Sequence, residues 1–154
     1  MGEEFVLARA AAILIEDGKV ALIERQRADR VYYVFPGGGT EYGEWPTETA
    51  KREVEEELGL TVKVKRMVAE VVFNSRPQYF FLVERVGGEF GTGQGEEMSS
   101  PLNSQTGSYT PVWLPIQELA CRTVYPESVV NLVKRSLIEG WPEEPRRFYE
   151  YKQR

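Results

Sequence analysis

The strongest constraint on the fold is a helical segment enclosed between a glycine loop and a single glycine. Strong helix formers fill Pro46–Leu58, and Gly59 follows where a helix commonly ends. Either Pro46 or Thr47 begins the segment, and Thr47 is a possible N-cap. The glycine run Gly37–Gly39 precedes it, and its backbone has access to conformations closed to other residues. We therefore expect a helix beside a functional loop.

Two neighbouring faces of this helix carry different chemistry. At roughly 100° per residue, the apolar side chains form a stripe that packs, made of Ala50, Val54 and Leu58. The next arc is acidic and holds Glu53, Glu56 and Glu57. Carboxylates beside a glycine loop suit a hard divalent cation such as Mg²⁺. Taken alone, such a face is more often only solvated surface. Arg52 lies four residues from Glu56, so we expect it to hold Glu56 and leave Glu53 and Glu57 free.

Composition places the chemistry on these acids. The chain of 154 residues has no histidine and one cysteine, which excludes histidine-dependent nucleophiles, histidine-ligated zinc and an intrachain disulfide. The net charge of −5 argues against a nucleic-acid binder. Seven acidic and two basic residues lie between Gly38 and Leu60, so this segment alone accounts for the net charge. The acidic N-terminus and the absence of a long apolar run predict a cytoplasmic protein outside membranes.

The rest of the chain predicts about six strands and one more helix. Each prediction rests on apolar periodicity and turn residues. A hairpin turns at Asp17-Gly18, and a second strand pair turns around 74–77. A short strand at 31–35 precedes the glycine loop, 87–107 is a long loop, and Tyr109–Leu114 is a strand. A helical turn follows at 116–120, an amphipathic helix spans Pro126–Glu139, and 141–154 is a tail over the surface. The expected class is α+β with a mixed sheet in a single domain over 1–154.

The joint spacing of loop and helix resembles the Nudix hydrolase signature. That signature is Gly, five residues, Glu, seven residues, Arg-Glu, an aliphatic residue, any residue, Glu-Glu, any residue, Gly and an aliphatic residue. Every fixed position is filled here, by Gly38, Glu44, Arg52, Glu53, Val54, Glu56, Glu57, Gly59 and Leu60.

The resemblance implies an α/β/α sandwich with a catalytic loop-helix-loop. It also implies hydrolysis of a nucleoside diphosphate linked to another moiety, with Mg²⁺ or Mn²⁺ as cofactor. By the same resemblance, Glu53 is catalytic, Arg52 orients it and Glu44 supports it. The implied metal ligands are Glu53, Glu56, Glu57 and a loop carbonyl, that of Gly38 or of Gly37. Some members place an extra acid on a distal loop, where the candidates here are Glu96 and above all Glu97.

Substrate-facing residues are less well marked. The candidates near the loop are Arg25, Arg27, Tyr33 and Phe35, although strand aromatics more often pack in the core. The leading function is hydrolysis of a nucleoside triphosphate, ordinary or oxidised, to the monophosphate and pyrophosphate. A nucleotide-sugar or ADP-ribose pyrophosphatase is the alternative, and a nucleotide sensor without turnover is a third possibility. The expected partner is a small nucleotide, and a homodimer is possible.

Overall fold

The computed structural model describes residues 8–94 and 107–151, which contain two α-helices and ten strands. The helices are α1 (Pro46–Leu58) and α2 (Glu127–Glu139), and a short 3-10 helix spans Ile116–Ala120. The strands are β1 (Arg9–Ile13), β2 (Ile15–Glu16), β3 (Lys19–Arg27), β4 (Arg30–Val34), β5 (Gly37–Gly39), β6 (Leu60–Phe73), β7 (Arg76–Gly88), β8 (Ser108–Pro115), β9 (Val124–Tyr125) and β10 (Arg146–Glu150).

The strands form two sheets. The first has the order β10-β6-β7-β1-β5, with β1 parallel to β7 and β10 parallel to β6. The second has the order β2-β3-β4-β9, and β8 pairs along β3. Parallel and antiparallel pairs occur in both, so the predicted α+β fold with a mixed sheet is confirmed.

Strand β1 shows where the core lies. Ala11 and Ile13 belong to a buried cluster that includes the apolar face of α2, whereas Ala10 and Ala12 belong to a second cluster with the apolar stripe of α1. Alternate residues of a strand point to opposite faces, so β1 is covered on both sides. The result is an α/β/α arrangement that holds α1 firmly against β1, β5 and β6.

Both predicted hairpins are confirmed. Asp17 and Gly18 have φ of 52° and 74°, and Asn74 and Ser75 have φ of 50° and 72°. Two consecutive residues of positive φ are typical of the type I′ turn that suits twisted strands. The second turn pairs Phe73 with Arg76 and continues into the long β6–β7 ribbon.

Two local predictions are corrected. The N-cap of α1 is Trp45 and not Thr47, since Pro46 is the first helical residue and the Glu48 carboxylate accepts a hydrogen bond from the Trp45 backbone N–H at 2.9 Å. The expected surface tail instead provides an edge strand, β10, that pairs with β6. Arg66 supports this path by donating to the carbonyls of Pro142 and Glu143. The interior of the predicted loop 87–107, including Glu96 and Glu97, lies outside the described residues. Within the described part, no helix is long and apolar enough to cross a membrane.

Candidate active site

Helix α1 directs two carboxylates into a cavity of about 420 Å³. Glu53 and Glu57 line it and are only 6% and 5% exposed, while Val54 and Leu58 beside them are fully buried in the core. Glu56 does not line the cavity, and its side chain is 40% exposed. The acidic arc of the helix is therefore divided, with two members enclosed and one at the rim.

The glycine run, expected to form a loop, is instead the short strand β5, and it lines the cavity beside these acids. The Gly37 N–H donates to Glu57 Oε1 at 3.2 Å. A Cβ atom on Gly38 would lie 2.2 Å from Glu53 Oε2, a distance that no real side chain tolerates. A side chain at position 38 would therefore force the Glu53 carboxylate to move away from the backbone.

Arg52 organises the rim of the cavity. Its Nε and Nη2 donate to the two oxygens of Glu44 at 2.7 and 3.0 Å, and Nη2 also donates to the Gly39 carbonyl at 3.0 Å. Its Nη1 donates to Glu53 Oε2 at 3.0 Å and reaches Glu56 only at 3.4 Å. The expectation that Arg52 contacts Glu56 is confirmed, at 3.4 Å to both carboxylate oxygens, but the expectation that it leaves Glu53 free is wrong. The bidentate pair with Glu44 fixes the guanidinium plane, and this geometry brings Nη1 to Glu53.

Glu44 is the most constrained acid of this network. Besides Arg52, it accepts hydrogen bonds from Thr49 Oγ1 at 2.8 Å and from the Glu41 N–H at 2.9 Å. The hydrogen bond from Arg52 is the main reason that the pKa of Glu44 falls from 4.5 to about 2. The same bond raises the pKa of Arg52 above its ordinary value, so this pair stays ionised at neutral pH.

Glu53 has the opposite electrostatic setting. Burial raises its pKa above the ordinary value, against the opposing effects of the neighbouring Glu57 and Arg52 side chains. Its Oε1 atom is buried and makes no hydrogen bond within the described structure. An unpaired buried carboxylate oxygen is costly unless something else binds it. This atom faces the same enclosure as Glu57 and the glycine loop, which marks it as a ligand-binding atom.

The donor set fits a hard divalent cation that is shared with a phosphorylated ligand. Among the described residues, no three His, Cys, Asp or Glu side chains are grouped so that they could hold an ion by themselves. Mg²⁺ does not need such a group, because one or two carboxylates with phosphate and water oxygens complete its coordination. Glu53, Glu57 and the carbonyls of the glycine loop supply oxygen donors of this kind.

The predicted substrate residues separate into two sets. Arg25, Arg27 and Phe35 line the cavity. Tyr33 does not, because its ring belongs to the core and its hydroxyl donates to Glu24 at 3.0 Å. Phe35 is itself 5% exposed and packs edge-on against Phe80.

Several cavity residues escaped the sequence analysis. Five of them come from four different strands and from the segment before α2, namely Arg9, Gln78, Tyr109, Tyr125 and Pro126. The period-2 pattern of β3 was a usable signal for part of the wall, because it places Ile23, Arg25 and Arg27 on one face. Which residues of other strands lie opposite depends on register, and no short motif encodes that register.

Comparison with known proteins supports the reading of fold and motif. A family model described as the NUDIX domain matches residues 6–132. An ADP-ribose pyrophosphatase from Streptococcus suis has a TM-score of 0.62 at 20% identity, covering 95% of this chain and 100% of that one. A structure of MutT, studied from Aliivibrio salmonicida and Vibrio cholerae, has a TM-score of 0.60 at 23% identity, covering 86% and 98%.

A UDP-X diphosphatase has a TM-score of 0.64 at 20% identity, covering 96% of this chain and 69% of that one. No curated protein sequence matches this chain. At these identities the structures establish the shared fold, and the family model covers most of the chain. The chain belongs to the NUDIX family, whose members are pyrophosphohydrolases acting on acid anhydrides.

Proposed function

We propose that this protein hydrolyses the diphosphate linkage of nucleoside diphosphate derivatives with the help of Mg²⁺ or Mn²⁺. The leading reaction is conversion of a nucleoside triphosphate, ordinary or oxidised, to the monophosphate and pyrophosphate. The observation that carries the proposal is the buried, unpaired Oε1 of Glu53, which lies with Glu57 beside the glycine loop in one cavity. A diphosphate is itself anionic, so it approaches these acids only with a cation between them.

Each residue of the motif then has a defined task. Glu53 holds the attacking water or accepts its proton, and Glu57 with Glu53 and the carbonyl of Gly37 or Gly38 would hold the cation, with Glu56 joining from the rim. A bound divalent ion supplies a lowered pKa for the attacking water and neutralises charge on the phosphoryl oxygens. Arg52 positions Glu53 through its 3.0 Å hydrogen bond, and Glu44 fixes Arg52.

A substrate panel tests the proposal. Purified protein with Mg²⁺ is incubated with nucleoside triphosphates, oxidised nucleoside triphosphates, ADP-ribose and nucleotide sugars, and the released products are identified by chromatography. Monophosphate and pyrophosphate from a triphosphate support the leading reaction. Preferential cleavage of ADP-ribose or a nucleotide sugar supports the alternative reaction. That alternative is considered because the fold is shared with an ADP-ribose pyrophosphatase and a UDP-X diphosphatase. Absence of product from every compound contradicts both.

A sensor without turnover is separated from an enzyme by binding. If the wild-type protein binds a nucleotide but releases no product over hours with Mg²⁺, and Glu53→Gln binds equally well, the protein is a sensor. The intact set of Glu53, Glu56 and Glu57 supports the enzyme, because a sensor has no need of these acids.

The distal-loop acid remains a sequence prediction. We expect Glu97→Gln to lower kcat if Glu97 supplies a base or ligand, and Glu96→Gln to do so if Glu96 has that role, with Glu144→Gln, at an exposed position elsewhere in the chain, as the control. Equal kcat for wild type and both variants would remove this loop from the chemistry.

A further inference from the structure

A row of arginines and tyrosines faces the carboxylates across the cavity. Three strands contribute to it, and we call it the arginine-tyrosine wall, defined as Arg25, Arg27, Arg30, Tyr32 and Tyr109. The motif-based function does not use these residues as a group. Their common placement, charge and support point to a second recognition task.

Strand register places the wall on one surface. Arg25 of β3 stands opposite Tyr32 of β4 on one side and opposite Tyr109 of β8 on the other. Arg27 pairs with Arg30 two residues further along the same strands. Because residues i and i+2 share a face, the second pair extends the same surface by roughly 7 Å toward the hairpin end.

The charge of this wall contrasts with that of the whole molecule. The chain has a net charge of −5. The described lining of the cavity nevertheless has four arginines, because Arg9 of β1 joins those of the wall, and its acidic members are Glu53 and Glu57. The lining of the cavity thus has more cationic than acidic side chains. Such a local field attracts an anionic ligand. In particular, it favours a phosphate whose charge is not neutralised by a metal ion bound at the carboxylates.

Two of the arginines are held in fixed orientations. The Arg25 guanidinium lies 3.7 Å from the centre of the Tyr109 ring, and its Nε donates to the Ser108 carbonyl at 3.2 Å. The Arg30 guanidinium lies 4.9 Å from the Tyr32 ring centre, and its Nη2 reaches the Tyr125 hydroxyl at 3.4 Å. A guanidinium placed over a ring keeps N–H groups in its own plane, which can bind phosphate oxygens in pairs. Preorganised donors of this kind lose less conformational entropy on binding.

We propose that the arginine-tyrosine wall binds an anionic phosphate group of the substrate that lies beyond the diphosphate held at the carboxylates. This inference rests on the proposed function and narrows it. The preferred substrates then carry a further phosphate, either as the third phosphate of a triphosphate chain or as a phosphate monoester on the group attached to the diphosphate. A diphosphate joined to a neutral sugar offers the wall no further phosphate to bind and is a poorer substrate.

Binding of inorganic tripolyphosphate tests the wall without turnover or metal. The full chain is titrated calorimetrically in EDTA at low ionic strength, and Arg25→Gln and Arg27→Gln are each expected to weaken Kd by about tenfold or more. Arg147→Gln is the matched control, since Arg147 lies on the exposed edge strand β10 and pairs with Glu70. Thermal unfolding verifies that each variant is folded, and Arg27→Lys, which keeps the charge, should recover part of the loss. The proposal is overturned if the wild type does not bind, or if Arg147→Gln weakens binding as much as the wall variants.

A second arm with Mg²⁺ distinguishes the source of the phosphate. We compare kcat/KM for a nucleoside triphosphate, for a nucleotide sugar, and for the same nucleotide sugar with a phosphate monoester on the sugar. A preference for the triphosphate that falls about tenfold in Arg27→Gln assigns the wall to the triphosphate chain, and the same fall for the phosphorylated sugar assigns it to the monoester. Equal falls for all three, the neutral sugar included, contradict the inference. If no compound is cleaved, the proposed function fails, while the calorimetric arm still decides whether the wall binds phosphate.

Discussion

The two sides of the cavity are built in different ways. The carboxylate site (Glu44, Arg52, Glu53 and Glu57) comes from one loop and one helix within 21 residues of sequence, counting from Gly37, which donates to Glu57. The arginine-tyrosine wall draws on β3, β4 and β8, so that Arg25 and Tyr109 meet across more than eighty residues of chain. The proposed chemistry is therefore encoded locally, whereas the proposed phosphate recognition depends on the register of the whole sheet.

The two sides also differ in the contacts that hold their charged side chains. In the carboxylate site, Glu44 holds Arg52 by two hydrogen bonds and a third partner, the Gly39 carbonyl, completes the guanidinium's contacts on that side. In the wall, aromatic rings and a strand carbonyl support the arginines. Both sides therefore present preorganised groups, held by ion pairs on one side and by aromatic rings on the other.

The largest expected effect comes from disrupting the packing of α1, the helix that carries most of the carboxylate site. Val54 is fully buried on the stripe of α1 that packs against the core. Val54→Asp buries a charge without a partner and should abolish cooperative folding, and with it both sides of the cavity. Circular dichroism and thermal unfolding measure this. Lys51→Gln, on the exposed face of the same helix, should change stability by no more than about 0.5 kcal/mol. A folded Val54→Asp protein would contradict the packing described for α1.

The next effect separates chemistry from stability. Glu53→Gln keeps the shape of a side chain that faces the cavity and removes its charge, so turnover should fall by about 10²–10⁴-fold while the fold remains. Steady-state rates with Mg²⁺ and thermal unfolding are measured on the same samples. Glu55→Gln, at an exposed position on α1, is the control and should keep its rate. A loss of stability large enough to explain the lost rate would instead assign Glu53 a structural role.

A smaller effect is expected from the residue that links the parts of the carboxylate site. Arg52→Lys keeps the charge and loses the planar fork that binds Glu44, Glu53 and the Gly39 carbonyl together. Misplacement of Glu53 should lower kcat by about 10–100-fold, as is common for groups that orient metal-binding side chains. The shift should appear in kcat more than in KM. A change confined to KM would instead indicate that Arg52 contributes to substrate binding and does not position Glu53.

The smallest effect is a pH-dependent stability term from Glu44. Its pKa is about 2 in the folded protein and 4.5 without the fold, so the folded state favours the ionised form. The stabilisation is complete above pH 4.5 and is lost as pH falls toward 2. Glu44→Gln should therefore be less stable than wild type by about 1–3 kcal/mol at pH 7, and the difference should shrink below pH 4.5. Urea unfolding across this range tests it, and a difference that grows on acidification would contradict the pairing.

Sequence alone reached the carboxylate site because helical periodicity and turn chemistry act over short distances. The 46–58 helix, its end at Gly59 with φ of 79°, and the hairpin at Asp17-Gly18 all follow from local preferences. The bidentate pairing of Arg52 with Glu44 was missed because several acids lie close to Arg52 in the sequence, and only the path of the loop brings Glu44 to it. Strand β10 was missed because one partly buried apolar residue, Phe148, lies among charged and proline residues, and its pairing with β6 is set by distant contacts.

The arginine-tyrosine wall was harder to predict from the sequence, because only the pairing of β3 with β4 and β8 makes its members neighbours. Arg25 was a candidate, but nothing near it in the chain indicates Tyr109 as its support. Likewise Tyr32 and Tyr33 are adjacent, so their side chains point to opposite faces of β4. Only the packing of the sheet decides that Tyr32 faces the cavity while Tyr33 enters the core.

The most direct test of the division between chemistry and recognition compares two variants on one nucleoside triphosphate. Equilibrium binding and single-turnover rates are measured for Glu53→Gln and Arg27→Gln with Mg²⁺. We expect Glu53→Gln to lose orders of magnitude in the rate of the bound complex and to change Kd far less, because Glu57 and the triphosphate still hold the cation, whereas Arg27→Gln weakens Kd about tenfold. Loss of binding in Glu53→Gln with no effect of Arg27→Gln on Kd would contradict it.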